Sequence, residues 1–167
     1  MNQKAKNLIE ELKLEKHPEG GYYREVYRSE EIISEGLPRR YKSGRCLCTA
    51  IYFLLQGKDF SAFHRLKSDE IWHFYAGTAL DIYVINENEE LDIRSIGNSQ
   101  DGDISFITVI NRGQWFAAEV RDKKSFALAG CTVAPGFGFR DFELGKKDEL
   151  ITKYPAYKEL ISRLTYR

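Results

Sequence analysis

The side chains that most often hold transition metals are scarce in this chain: three histidines and three cysteines in 167 residues. Cys46, Cys48 and Cys131 form an odd set, which argues against a disulfide framework and for free thiols. Cys46 and Cys48 are two apart, a strand spacing rather than a zinc pairing, and no nearby Cys/His pair completes a site. All three are read as small buried hydrophobes. Net charge is lacking too: 25 Lys and Arg balance 25 Asp and Glu. That balance argues against a nucleic-acid binder, whose affinity rests on neutralising many phosphates, and it permits self-association. No apolar run is long enough to span a bilayer, so no membrane partner is expected. The amino terminus, MNQKAKNLIEELKLEK, has no apolar signal core, and a cytoplasmic location is expected. Repeats, low-complexity tracts and linkers are missing as well. The chain reads as one domain over residues 1–167.

Aromatic residues are abundant. Ten Tyr, ten Phe and two Trp bring the aromatic share to 13%, which suits strands and the walls of a ligand cavity. Leu8, Ile9 and Leu12 recur at helical spacing and predict an amphipathic helix over 4–15, ended by HPEGG at 17–21. YYREVYR alternates like a strand. Residues 30–45 read as a long connection; its Arg39, Arg40, Lys42 and Arg45 form an anion patch or, with acidic residues close by, a solvated loop. From Cys46 the pattern changes to short β segments: CLCTAIYFLL, FSAFHRL, IWHFYAG, ALDIYVI, ELDIRSIG, ISFITVI, GQWFAAEV and SFALAGCTVAP. Polar turns such as LKSD, NSQDGD and RDKK separate them. Such spacing predicts an all-β antiparallel sandwich or barrel. The last segment, KKDELITKYPAYKELISRLTYR, returns to helix with a break at Pro155.

One stretch carries chemistry: GKDFSAFHRLKSDEIWHFYAG, Gly57 to Gly77. It resembles the first cupin motif, in which a His-x-His pair precedes a glutamate and a closing glycine. His64 matches the first histidine, Glu70 the glutamate and Gly77 the glycine. Leu66 stands at the second histidine. In the second motif, VINRGQWFAAEV aligns Gly113 with the motif glycine and puts Phe116 where the third histidine would be. Two of four ligand positions are apolar, so no tightly bound metal and no cofactor are expected. His73 points away from Glu70 by strand alternation, and nothing in the local pattern brings His17 to the cavity.

With HPEGGYYREVYRS, TAIYFLL and CTVAPGFGFRDFELG, these segments are similar to the bacterial and fungal cupin family known as domain of unknown function 985, over roughly residues 17–145. The resemblance implies a cupin jelly roll with flanking amino- and carboxy-terminal helices, and a homodimer. It also extends by fold to sugar-nucleotide epimerases, plant storage proteins and hormone-binding cupins.

Alternation puts Ala62 and His64 on one strand face and Glu70, Trp72 and Phe74 on the facing one. These residues, with Arg24 for an anionic group, are the expected ligand contacts. His64, Glu70 and Asp141 are the candidate catalytic groups; an Asp141 that merely anchors its loop is the competing reading. The expected function is binding of a small molecule around a His64–Glu70 pair. A metal-independent epimerase or isomerase of a sugar or keto compound, with His64 as base, stays open, as does a metal-dependent cupin enzyme.

Overall fold

The computed structural model describes residues 2–98 and 104–166. Helix α1 spans Gln3–Glu11. The strands are β1 Glu15–Lys16, β2 Tyr22–Arg28, β3 Ile32–Ile33, β4 Arg45–Cys46, β5 Thr49–Gln56, β6 Phe60–Leu66, β7 Asp69–Gly77, β8 Leu80–Ile85, β9 Leu91–Ile96, β10 Ile104–Ser105, β11 Ile107–Ile110, β12 Trp115–Val120, β13 Phe126–Ala134 and β14 Phe142–Leu144. Helices α2 (Lys147–Lys153) and α3 (Lys158–Arg163) follow, with a short 3-10 turn at Pro155–Tyr157 between them. Of the expected NSQDGD turn, residues 99–103 lie outside the described residues.

Two six-stranded sheets build the sandwich, in the orders β1-β2-β5-β13-β7-β11 and β10-β9-β8-β12-β6-β14. The fold is all-β, a jelly roll with small flanking helices. Its main core lies between the sheets, where Phe53, Trp72 and Ala129 of the first meet Ile82, Val84 and Phe116 of the second. The helices cover outer faces. Ala5 and Leu14 pack with Leu54 and Leu128 on the first sheet. Leu150, Ile161 and Leu164 pack with Phe63 and Trp115 on the second. Each contact follows from strand alternation, which sends Phe63 outward while Ala62 and His64 turn inward.

The first helix is shorter than its periodicity predicts. The Asn2 side chain caps it by accepting from the backbone N–H groups of Lys4 and Ala5. It ends because Lys13 adopts a left-handed conformation, φ +52°. The Leu14 N–H then reaches back to the Ile9 carbonyl and the Lys13 N–H to that of Glu10. This double closure satisfies carbonyls the helix would otherwise orphan, and it buries Leu14. HPEGG therefore does not stop a helix. It is the turn between β1 and β2. Gly20 sits at φ +112° and Gly21 at φ +70°. A Cβ on Gly20 would collide with the Phe60 carbonyl, and one on Gly21 would lie 2.7 Å from the Leu54 carbonyl. Only glycine lets this turn sit so close against β5 and β6.

Candidate ligand-binding site

Rows of paired residues across the first sheet form one wall of a cavity. Arg28, Thr49, Val133 and Glu70 pair in sequence, and Glu25, Ile51 and Cys131 form the adjacent row on the same face, which continues to Trp72 in the core beyond the cavity. A β-bulge between Glu25 and Tyr27 makes this possible. Uninterrupted alternation would aim Tyr27 inward; the extra residue aims Arg28 there instead. The opposite wall comes from β6, through His64 and Leu66, and the HPEGG turn adds His17 and Glu19. Phe137 and Phe139 close the mouth. The enclosed volume is about 280 Å³.

Glu19 lies at the centre of the polar groups. Its Oε2 is 3.3 Å from His64 Nε2 and 3.4 Å from His17 Nδ1, and Ser61 Oγ donates to its Oε1 at 2.8 Å. His64 Nδ1 donates to the Ala62 carbonyl at 2.7 Å, which leaves Nε2 with a lone pair. His17 Nδ1 accepts the Glu19 backbone N–H at 3.3 Å, which occupies its lone pair and leaves its proton on Nε2. The His64 Nε2 lone pair facing the Glu19 carboxyl favours a proton between the two. Burial acts in the same direction: it pushes Glu19 well above the usual carboxylate range, with the nearby Glu70 charge adding to the rise. Burial also lowers His64 to about 3 and His17 to about 4. The three groups form a neutral, hydrogen-bonded cluster.

Glu70 is different. It is 7% exposed, and its Oε2 is buried with no hydrogen-bond partner among the described residues. Burial lifts its pKa to about 7, against smaller downward pulls from Trp72 and Cys131. Neither closes a hydrogen bond on that oxygen, and Trp72 Nε1 likewise has no partner among the described residues. An acceptor left bare inside a protein costs about 1–3 kcal/mol unless something donates to it.

The structure brings His64 and Glu70 into one cavity, but the carboxyl that contacts His64 is Glu19. Four of the expected ligand contacts do not line the cavity. Ala62 is fully buried and contributes its carbonyl to His64. Trp72 lies one pleat deeper than Glu70, with its ring 5.4 Å from that of Phe53 and 6.3 Å from that of Phe116. Phe74 packs on the same core, deeper again. Arg24 falls between the cavity-facing Tyr23 and Glu25 and so takes the other face of β2. Arg28 is the arginine that lines the cavity instead. Asp141 does not join His64 and Glu70. It pairs in a fork with Arg45, whose Nη2 is 2.7 Å away and whose Nε also donates, and it lines a separate, basic cavity with Arg40, Lys67 and Arg112. His17, Glu19 and Arg28 are the contacts that sequence reasoning missed. The glycine pair after His17-Pro18-Glu19 was the available signal for the first two; the bulge left none.

The apolar replacements at the cupin ligand positions sit beside His64. Leu66 lines the cavity, and the Phe116 ring centroid is 4.0 Å from that of His64. Among the described residues no group of three or more His, Cys, Asp or Glu side chains is arranged to hold a metal ion. Leu66 and Phe116 offer no lone pair where the cupin frame needs two more imidazoles, so the donor set does not fit the metal of that frame.

A jelly-roll sandwich with an inward-facing histidine and glutamate at these positions defines a cupin. The chain matches the family model described as Cupin superfamily (DUF985) over residues 6–145, and it belongs to that family. Its fold is similar to a crystal structure of a Shewanella oneidensis protein, at 37% identity and a TM-score of 0.88, covering 97% of each chain. A hypothetical protein from Leishmania major gives 31% identity and a TM-score of 0.88 over 98% of this chain and 99% of that one. Oxalate decarboxylase from Bacillus subtilis shares the fold alone, at 16% identity and a TM-score of 0.57, covering 89% of this chain and 36% of the decarboxylase. No curated protein matches the chain.

Proposed function

We propose that this cupin binds a small molecule in the cavity between its sheets, with Glu70 as the principal polar contact and without a tightly bound metal. The observation that carries this reading is Glu70, a buried carboxyl that lines a cavity with apolar walls and whose Oε2 has no hydrogen-bond partner among the described residues. A ligand donor hydrogen would relieve its cost, which gives the ligand an orientation as well as affinity. Ile51, Leu66 and Val133 provide the apolar surround. The test is calorimetric titration of whatever metabolite co-purifies. Glu70→Gln is expected to weaken binding by about tenfold or more, the worth of a charge-assisted hydrogen bond. Equal binding by wild type, Glu70→Gln and His64→Ala would place the site elsewhere.

A catalytic reading is favoured by the burial of Glu70, which pushes its pKa up to about 7, where a general base works best. In a metal-independent epimerase or isomerase Glu70, rather than His64, would then abstract the proton. The Glu19–His64 pair would hold a second proton across the cavity.

The chain acts in this proposal as one domain, residues 1–167, and as a cytoplasmic homodimer. Three free cysteines suit a reducing compartment. The outer face of the first sheet supports the dimer. There the pairing row Tyr27, Ala50, Thr132, Ile71, Val109 runs beside Tyr75 and Ile107. Tyr27, Tyr75, Ile107 and Val109 are about half exposed, and a chain of zero net charge does not repel its copy. Sedimentation should show a dimer at micromolar concentration, and Ile107→Glu with Val109→Glu should release monomers. A wild-type monomer would contradict this.

A further inference from the structure

We infer that the cavity selects a compact nitrogenous base, neutral or cationic and presenting N–H donors, and rejects carboxylates and other small anions. The inference rests on the binding role proposed for Glu70 and adds the chemical class of the ligand.

Carboxyls are the commonest ionisable groups that line the cavity. Glu15, Glu19, Glu25 and Glu70 line it, and Arg28 is the only lysine or arginine among the lining residues. Arg28 is already committed. Its Nε and Nη2 hold both carboxylate oxygens of Glu25, at 2.9 and 2.6 Å, and its Nη1 donates to the Phe137 carbonyl at 3.1 Å. The two histidines offer no positive charge: His17 Nδ1 accepts the Glu19 backbone N–H, His64 Nδ1 donates to the Ala62 carbonyl, and burial keeps both rings neutral. An anion entering this space would lose its hydration and meet carboxyl groups, with no free cation among the lining residues in return. A donor-bearing nitrogen meets the opposite situation: the Glu70 carboxyl, which lines the cavity and is not fully partnered among the described residues, accepts from it. The rings at the mouth add to this preference. Tyr23, Phe137 and Phe139 line the entrance, Phe139 is 54% exposed, and aromatic faces attract cations. A volume of about 280 Å³ restricts the ligand to a ring with a short head group.

Benzamidine, benzamide and benzoate test this as a near-isosteric series of one shape and three charges. Calorimetric titration of the wild-type protein should show benzamidine and benzamide bound, with benzamidine favoured over benzoate by about tenfold or more. Glu70→Gln should reduce benzamidine binding by about tenfold. Glu25→Gln leaves Glu70 intact and loosens the clamp on Arg28, so it should narrow the gap between benzamidine and benzoate. Benzoate binding as tightly as benzamidine would overturn the inference; if that binding were also lost in Glu70→Gln, the binding role of Glu70 would survive. Binding of none of the three would overturn the inference too, leaving the role of Glu70 to the co-purifying metabolite. A gap unmoved by Glu25→Gln would refute the masking of Arg28.

Discussion

Arg45→Ala is expected to destabilise the fold by about 3–5 kcal/mol, because it strands a buried carboxylate. Arg45 and Asp141 are 4% and 5% exposed, and they meet through two parallel hydrogen bonds. Arg45 Nη1 adds bonds to Ser43 Oγ at 3.0 Å and the Gly44 carbonyl at 2.9 Å. Burial acts upward on the Asp141 pKa, but Arg45 outweighs it and holds the carboxyl below its usual range. The pair's contribution is therefore complete above the ordinary aspartate pKa, about 4, and fades as pH falls through the lower folded value. Lys67, at 3.6 Å from Asp141 and 39% exposed, is too solvated to replace the guanidinium fork. The pair joins the 30–45 connection to the turn that carries Phe139, so its loss should also loosen the cavity mouth. Urea denaturation at pH 7 measures the effect. A loss below about 1 kcal/mol would mean that the pair is solvated. Arg45→Met combined with Asp141→Leu should recover much of the loss, since no charge is then left buried.

Glu70→Gln carries the second large effect. Relative to this variant, wild type should lose about 1–3 kcal/mol of stability between pH 5 and pH 9. The folded pKa of Glu70 is about 7, above the ordinary value of 4.5. The folded state therefore keeps a proton that the unfolded chain releases between those values. Its stabilising contribution is whole below about 4.5 and is lost as pH rises through about 7. His64 and His17 act in the opposite sense. Their lowered pKa values, about 3 and 4, give a contribution present above 6.5 and lost as pH falls toward them. Those effects are common to both proteins and cancel in the difference, provided glutamine leaves the His17–Glu19–His64 cluster in place. The readout is the pH dependence of the difference in unfolding free energy. A flat difference would mean that Glu70 is hydrated and titrates like an exposed carboxyl.

The β architecture was legible because its signal is local. FSAFHRL and IWHFYAG alternate, and LKSD between them is a turn by composition, so the facing of His64 and Glu70 toward one interior followed from period two and the cupin spacing. What escaped depends on tertiary contacts. Lys13 ends α1 early because Leu14 gains burial against the first sheet, an energy no helical periodicity contains. His17 and Glu19 sit in a turn whose glycines reveal close packing but not what they pack against. A bulge changes the parity of β2, so Arg28 reaches the cavity where unbroken alternation points to Tyr27. Asp141 looked like a cavity residue by its place in the family segment, yet its partner is Arg45, 96 residues away in sequence and lying in what reads as a solvated loop.

The central claim is that a small molecule occupies the cavity through Glu70. The most direct measurement is a crystal structure of protein purified and crystallised without added ligand. The account predicts density for a compact ring-sized molecule with a donor about 2.7–3.2 Å from a Glu70 carboxyl oxygen, and none for a metal at His64 Nε2. A metal ion bound to His64, or a co-purifying metabolite located outside this cavity, would contradict it.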